Sequence, residues 1–213
     1  MIKFTLNGVE TSYDGDPKQS LLNYLRETIG IVSVKNGCSG EATCGACLVE
    51  VDAKPALSCV TPMQKVDCAR IITIEGFPVS VRKTPGRAFV VKGAVQCGFC
   101  TPGMLMSAAA LFNQVSERAG ELDEEELDAE IARALRRNAC RCTGYAAIAR
   151  AVRSAIHEAG TGEPLPQIEI ETLEPYAVVG RSHARPDVVG KVTGALRFAD
   201  DLTFDGMLYG ATL

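Results

Sequence analysis

No stretch of the 213 residues approaches the 18 or more consecutive apolar residues of a membrane span. The N-terminus, Met1-Ile2-Lys3-Phe4-Thr5, also lacks the apolar core of a secretory signal and passes straight into strand-like alternation. A soluble cytoplasmic protein is expected. Positive charge is not in excess: 22 Lys and Arg against 26 Asp and Glu leave a formal net charge of -4, which argues against nucleic acid as a partner. No G-x-G-x-x-G loop is present, so the residues for a dinucleotide cradle are missing. Histidine is scarce, and His157 and His183 are too isolated to form a metal set. They read as a solvated helix end and a linker residue.

Cysteine, by contrast, is plentiful. The nine fall into two blocks: Cys38-x5-Cys44-x2-Cys47 with Cys59, then Cys97-x2-Cys100 with Cys140-x-Cys142. Cys68 is left over as a packed or partly exposed free thiol. Four thiolates per block is the ligand set of a [2Fe-2S] cluster, so the spacing points to two one-electron centres. A disulfide scaffold is the alternative for so many thiols outside a reducing compartment.

The order of elements follows from periodicity. Asn7-Gly8 between two alternating runs predicts a tight hairpin, and Leu21, Leu22, Leu25 and Ile29 predict a helix stopped by Gly30. Leu48 to Val51, the run 56–59 after a Pro55 turn, and Arg70 to Ile74 supply further strands. A mixed sheet gripping one helix is the economical fold for residues 1–78. Thr84-Pro85 predicts a helix start, with the helix ending near Gly93, and Thr101-Pro102 repeats the signal with Met104, Leu105, Ala108, Leu111 and Phe112 as its apolar face. Asp123 to Glu126 predicts a capped third helix, acidic at its start and rich in arginine at its end, with the stretch 123–130 a solvated face. A fourth helix follows Gly144 and stops before Gly160. Residues 160–177 read as an extended linker. Residues 178–213 are too few to hold a core alone.

In the first block, Gly37, Gly40 and Gly45 lie among three loop cysteines. Backbone N–H groups can close on bridging sulfides there only where side chains do not hold them away. The block resembles the plant-type ferredoxin signature with one extra residue between Cys38 and Cys44. By loop-closure scaling that residue costs only roughly 0.2 kcal/mol, leaving ligation intact. In the second block each cysteine pair stands at a helix start, where the positive end favours thiolates. Zinc is the alternative occupant, although its habit of two C-x2-C pairs fits Cys140-x-Cys142 less well. A thioredoxin-like dithiol at Cys97 and Cys100 would leave Cys140 and Cys142 unexplained.

The string QCGFCTPGM at 96–104, CRCTGY at 140–145 and the earlier CGAC at 44–47 resemble the iron-sulfur module of the molybdenum hydroxylases, the family of xanthine dehydrogenase and aldehyde oxidoreductase. The resemblance covers residues 1 to about 157. It implies an α+β chain: a β-grasp ferredoxin-like domain (1–78) holding a cluster on Cys38, Cys44, Cys47 and Cys59, then a four-helix-bundle domain (79–159) holding a second on Cys97, Cys100, Cys140 and Cys142. In that family the helical-domain cluster adjoins the molybdopterin cofactor, and Gln96 and the Cys142 backbone match the positions that touch the pterin.

A weaker likeness covers residues 178–213. Val179-Gly180-Arg181, Arg185-Pro186-Asp187, Lys191 to Ala195, Ala199-Asp200-Asp201 and Gly206 to Tyr209 resemble the opening of the family's molybdenum-binding portion. Taken singly, those charged residues read as a solvated strand pair. The resemblance implies electron transfer in an oxidoreductase acting on an N-heterocycle or aldehyde, with the molybdenum site on a partner polypeptide or missing segment. FAD, if used, is expected on a separate subunit. A free-standing ferredoxin-like carrier and a zinc-stabilised interaction module are the competing functions.

Overall fold

The computed structural model describes residues 1–77, 79–115, 122–165 and 185–210. Strands β1 (Ile2–Leu6) and β2 (Val9–Tyr13) pair antiparallel with Leu6 opposite Val9. Their turn is the expected Asn7-Gly8, where φ is 51° and 86°. Two positive φ values in succession match the strand twist, which is why this dipeptide makes hairpins. Strands β3 (Leu48–Val51) and β4 (Lys54–Leu57) form a second hairpin. Its turn is Asp52-Ala53, at φ 49° and 62°, not Pro55. Pro55 instead lies within β4, opposite Glu50, and it is tolerated because β4 is an edge strand with no second neighbour demanding its N–H. Strand β5 (Arg70–Ile72) runs parallel to β1 and antiparallel to β3, giving the order β2-β1-β5-β3-β4. It ends before Ile74, which opens a 3-10 turn.

Helix α1 begins at Leu21–Asn23, capped by the Ser20 hydroxyl, which accepts the Asn23 N–H. It then widens into a π-helix, Tyr24–Ile29, and stops at Gly30 with φ 81°. Leu21, Leu22 and Leu25 are buried as expected, but Ile29 is 42% exposed. Ile29 is the last residue of the helix, directly before the Gly30 stop. The core under the sheet joins Phe4, Leu6, Leu21, Leu22, Leu25, Val49, Met63 and Ile71. Each fully buried Leu or Ile there contributes roughly 1.5–3 kcal/mol.

The second half is helical: α2 (Val79–Val91), α3 (Thr101–Val115), α4 (Glu124–Leu135) and α5 (Tyr145–Thr161). Helix α2 begins five residues before Thr84 and carries Pro85 inside it. Thr-Pro reads as a start because proline needs no donor in the first turn; here the helix gives up one backbone bond and buries Pro85 instead. At α3 the Thr101-Pro102 signal coincides with the helix start. The expected apolar face understates this helix, which packs against α2, α4, α5 and β3 and buries residues all round. Asp123 and Glu126 cap α4 reciprocally. Helix α5 runs past Gly160 to Thr161, and Gly162, at φ 71°, terminates it. His157 is exposed near its end. His183, most of the linker and the 178–184 end of the tail lie outside the described residues.

Residues 185–210 contain no strand among those described. A short helix α6 (Val188–Val192) and a 3-10 turn at Ala199–Asp201 lie against both halves of the molecule. The solvated strand pair is therefore replaced by a docked segment in which Lys191 and Asp201 are buried. Buried partners, invisible in the sequence, make the difference. Asp201 pairs with Lys35 and with Arg26, the latter at 2.9 Å, and accepts the Phe198 N–H at 2.9 Å.

Candidate metal centres

Three cysteines of the first block, Cys38, Cys44 and Cys47, lie on the loop between α1 and β3. Ser39, Gly40, Ala42 and Gly45 all have positive φ, so the chain curls back on itself between Cys38 and Cys47. The three glycines serve different ends. A Cβ at Gly37 would stand 3.0 Å from Cys44 Sγ, so its absence leaves room at the sulfur. Gly40 has open space but φ of 89°, and Gly45 combines φ of 67° with a backbone pressed against the Arg137 carbonyl. The thiols stand close enough to perturb one another in pairs, Cys38 beside Cys44 and Cys47 beside Cys59. Cys59 reaches Cys47 from the 3-10 turn after β4, and Ser58 Oγ donates to the Cys47 carbonyl at 2.7 Å.

The second block lies where α3 and α5 start. Cys100 immediately precedes α3, and Cys142 stands just before Gly144, the N-cap of α5. Here the pairs are Cys97 with Cys142 and Cys100 with Cys140. Tyr145 Oη accepts the Cys140 N–H at 2.8 Å, which fixes the backbone of that cysteine. Cys68 stands apart from both groups, exposed, with φ of 59° and its N–H bonded to the Lys3 carbonyl.

Thiol electrostatics differ within each block. Burial opposes ionisation of Cys38, but hydrogen bonds from Thr43 and Cys44 outweigh it and hold the thiol down at about 6. Burial, with the neighbouring thiol adding to it, pushes Cys47 and Cys100 up to about 12. Such thiols ionise only when a cation arrives to compensate them. Two pairs per site match a binuclear centre in which each iron takes two thiolates. The donor set thus fits two iron-sulfur clusters, which would supply one-electron uptake and release.

The two blocks touch. The Ala139 N–H donates to the Cys44 carbonyl at 2.8 Å, and Asn138 Nδ2 donates to the Gly45 carbonyl at 3.2 Å. Asn138 is held in turn by Ser107 Oγ on α3, 2.6 Å from its Oδ1. Gly103 on the same helix lets the backbone at Gly45 and Ala46 approach closely. Gln96 is exposed in the loop between α2 and α3, beside Gly144 and so beside the Cys142 turn. Its carbonyl, which no motif flagged, accepts both Arg185 Nη1 at 3.0 Å and Lys191 Nζ at 3.1 Å.

Comparison with known proteins agrees with this geometry. A family described as "2Fe-2S iron-sulfur cluster binding domain" matches residues 4–64, and one described as "[2Fe-2S] binding domain" matches residues 73–153. The nicotinate dehydrogenase small FeS subunit of Eubacterium barkeri is 41% identical over 158 residues, covering 73% of this chain and 94% of the relative. The aldehyde oxidoreductase of Megalodesulfovibrio gigas is 36% identical over 200 residues, which are 93% of this chain but 21% of the relative. The crystal structure of the Desulfovibrio desulfuricans aldehyde oxidoreductase superposes with a TM-score of 0.80 at 30% identity, over 94% of this chain and 22% of the other. Fold, paired thiols and relatives together place the chain in the iron-sulfur module family of the molybdenum hydroxylases.

Proposed function

We propose that the chain is the two-cluster electron-transfer part of a molybdopterin-dependent oxidoreductase. Residues 1–78 form a β-grasp domain whose Cys38, Cys44, Cys47 and Cys59 hold one [2Fe-2S] cluster. Residues 79–159 form a four-helix-bundle domain whose Cys97, Cys100, Cys140 and Cys142 hold the other. Residues 160–177 link these to 178–213, the start of a molybdenum-binding portion. The catalytic metal is supplied by a partner polypeptide or further segment, with Gln96 and the Cys142 backbone facing its pterin. The substrate class is an aldehyde or an N-heterocycle, in keeping with the names of the relatives. Electrons leave to a flavin subunit or another acceptor, and reduced thiols suit a cytoplasmic setting.

One observation carries this reading. Cys140 and Cys44, one from each quartet, are joined by the Ala139–Cys140 peptide and the Ala139-to-Cys44 hydrogen bond. The chain thus holds its two metal sites in fixed register through a short polar path, as a relay requires and a pair of independent metal modules does not. The helix starts at Thr101 and Tyr145 aim positive ends at the second quartet and stabilise the negative charge it carries. Visible absorbance with about four irons per chain and little zinc supports the reading; a colourless zinc protein refutes it. Co-purification of a large molybdopterin protein supports the hydroxylase assignment, whereas purification of the iron-sulfur chain without one favours a free-standing carrier.

A further inference from the structure

Beside the second cysteine block lies a charged cluster that belongs to none of the ligands. Lys191 and Arg185 converge on one carbonyl oxygen, that of Gln96, the residue before Cys97. Asp187 holds both cations: Lys191 Nζ at 2.6 Å, and Arg185 through Nε at 3.1 Å and Nη2 at 2.9 Å. Two cations face one carboxylate, so the group retains one positive charge. The Lys191 side chain is only 4% exposed. Its stem covers Gly98 so closely that a Cβ there would come within 2.5 Å of Lys191 Cγ and Cδ. Gly98 also has φ of 89°. Lys191 therefore roofs the Cys97-x2-Cys100 turn at Gly98, which is buried beneath its stem. The segment is anchored at its other end by Asp201 on Lys35 and Arg26.

We propose that Lys191, with Arg185, is a positioning and tuning residue for the helical-domain cluster: it fixes the Gln96–Cys97 turn and raises the reduction potential of the cluster held there. Adding an electron makes a cluster more negative, and a nearby, poorly hydrated cation stabilises that state. Lys191 acts more strongly than Arg185, whose 52% exposure lets solvent and salt screen it. The first cluster lies on a different loop, so its potential stays where it is. The tail thereby couples its own docking to one of the two redox sites.

The inference rests on Cys97, Cys100, Cys140 and Cys142 being cluster ligands, and EPR-monitored dithionite titration of the full chain separates the two ideas. A wild-type protein with only one reduced-cluster signal overturns the ligand assignment. With both signals present, Lys191→Met should lower one midpoint by at least a threefold change in reduction constant, about 28 mV on the 59 mV per decade of a one-electron couple. Lys191→Arg should restore it, and Arg185→Gln should move the same midpoint in the same direction by less. The second midpoint should not change. If Lys191→Met loses iron, Arg185→Gln decides the question alone. Unmoved midpoints in the iron-replete variants, or equal shifts in both clusters, overturn the proposal and leave Lys191 a structural strap.

Discussion

The Ala139 N–H donates to the Cys44 carbonyl oxygen over 2.8 Å, and Asn138, one residue earlier, donates to the Gly45 carbonyl. These two bonds weld the loop of the first cysteine block to the segment that delivers Cys140.

Asn138 is the accessible lever on this weld, because it is buried and bonded on both sides, to Ser107 and to Gly45. Asn138→Ala should cost roughly 1–3 kcal/mol, the penalty for leaving buried polar partners unsatisfied. Chemical denaturation measures that loss. Electron exchange between the two clusters after flash reduction should slow, while both midpoints hold.

Gly45 and Gly40 make a matched pair. A Cβ at Gly45 meets the Arg137 carbonyl and the Asn138 side chain, whereas Gly40 has nothing within 4 Å. Gly45→Ala should lose iron from the first site and lower the melting temperature sharply. Gly40→Ala should retain iron and cost only about 1–2 kcal/mol, the strain of a positive φ. Iron content per chain distinguishes them.

Asp201 gives the tail a pH dependence. Burial raises its carboxyl, but the Lys35 ammonium, the Phe198 N–H and Arg26 outweigh that and leave it below the ordinary carboxylate value of 3.8. Burial lowers the Lys35 ammonium, and Asp201 only partly restores it. A depressed carboxyl stabilises the fold above its unfolded pKa and loses that contribution as pH falls through the folded value. Tail docking should therefore hold down to about pH 4 and weaken below it. Hydrogen exchange at residues 198–202, corrected for intrinsic rate, should show this loss of protection. In Asp201→Asn that protection should be low at neutral pH and should lose its acid step.

Local chemistry carried much of this architecture. Asn7-Gly8, the Gly30 stop, the Thr101-Pro102 start and the Asp123–Glu126 cap are short-range signals, and each fell where expected. Thr84-Pro85 and Pro55 misled because the same residue is tolerated inside a helix that buries it, as at Pro85, or on an edge strand where no neighbour needs its N–H, as at Pro55. The cysteine blocks could be partitioned from spacing, but their pairing as 38 with 44, 47 with 59, 97 with 142 and 100 with 140 needed the fold. Asn138, Ala139, Lys35 and Arg26 carry no motif; their roles depend on contacts across many residues of sequence. The tail's charged residues looked solvated because a buried ion pair is indistinguishable in sequence from two exposed charges.

The most direct test of the two-cluster relay is EPR of the dithionite-reduced full chain, compared with Cys140→Ala and Cys47→Ala. Wild type should show two distinct reduced-cluster signals. Each variant should lose a different one and keep the other. A single signal in wild type, or both signals surviving in either variant, would contradict the account.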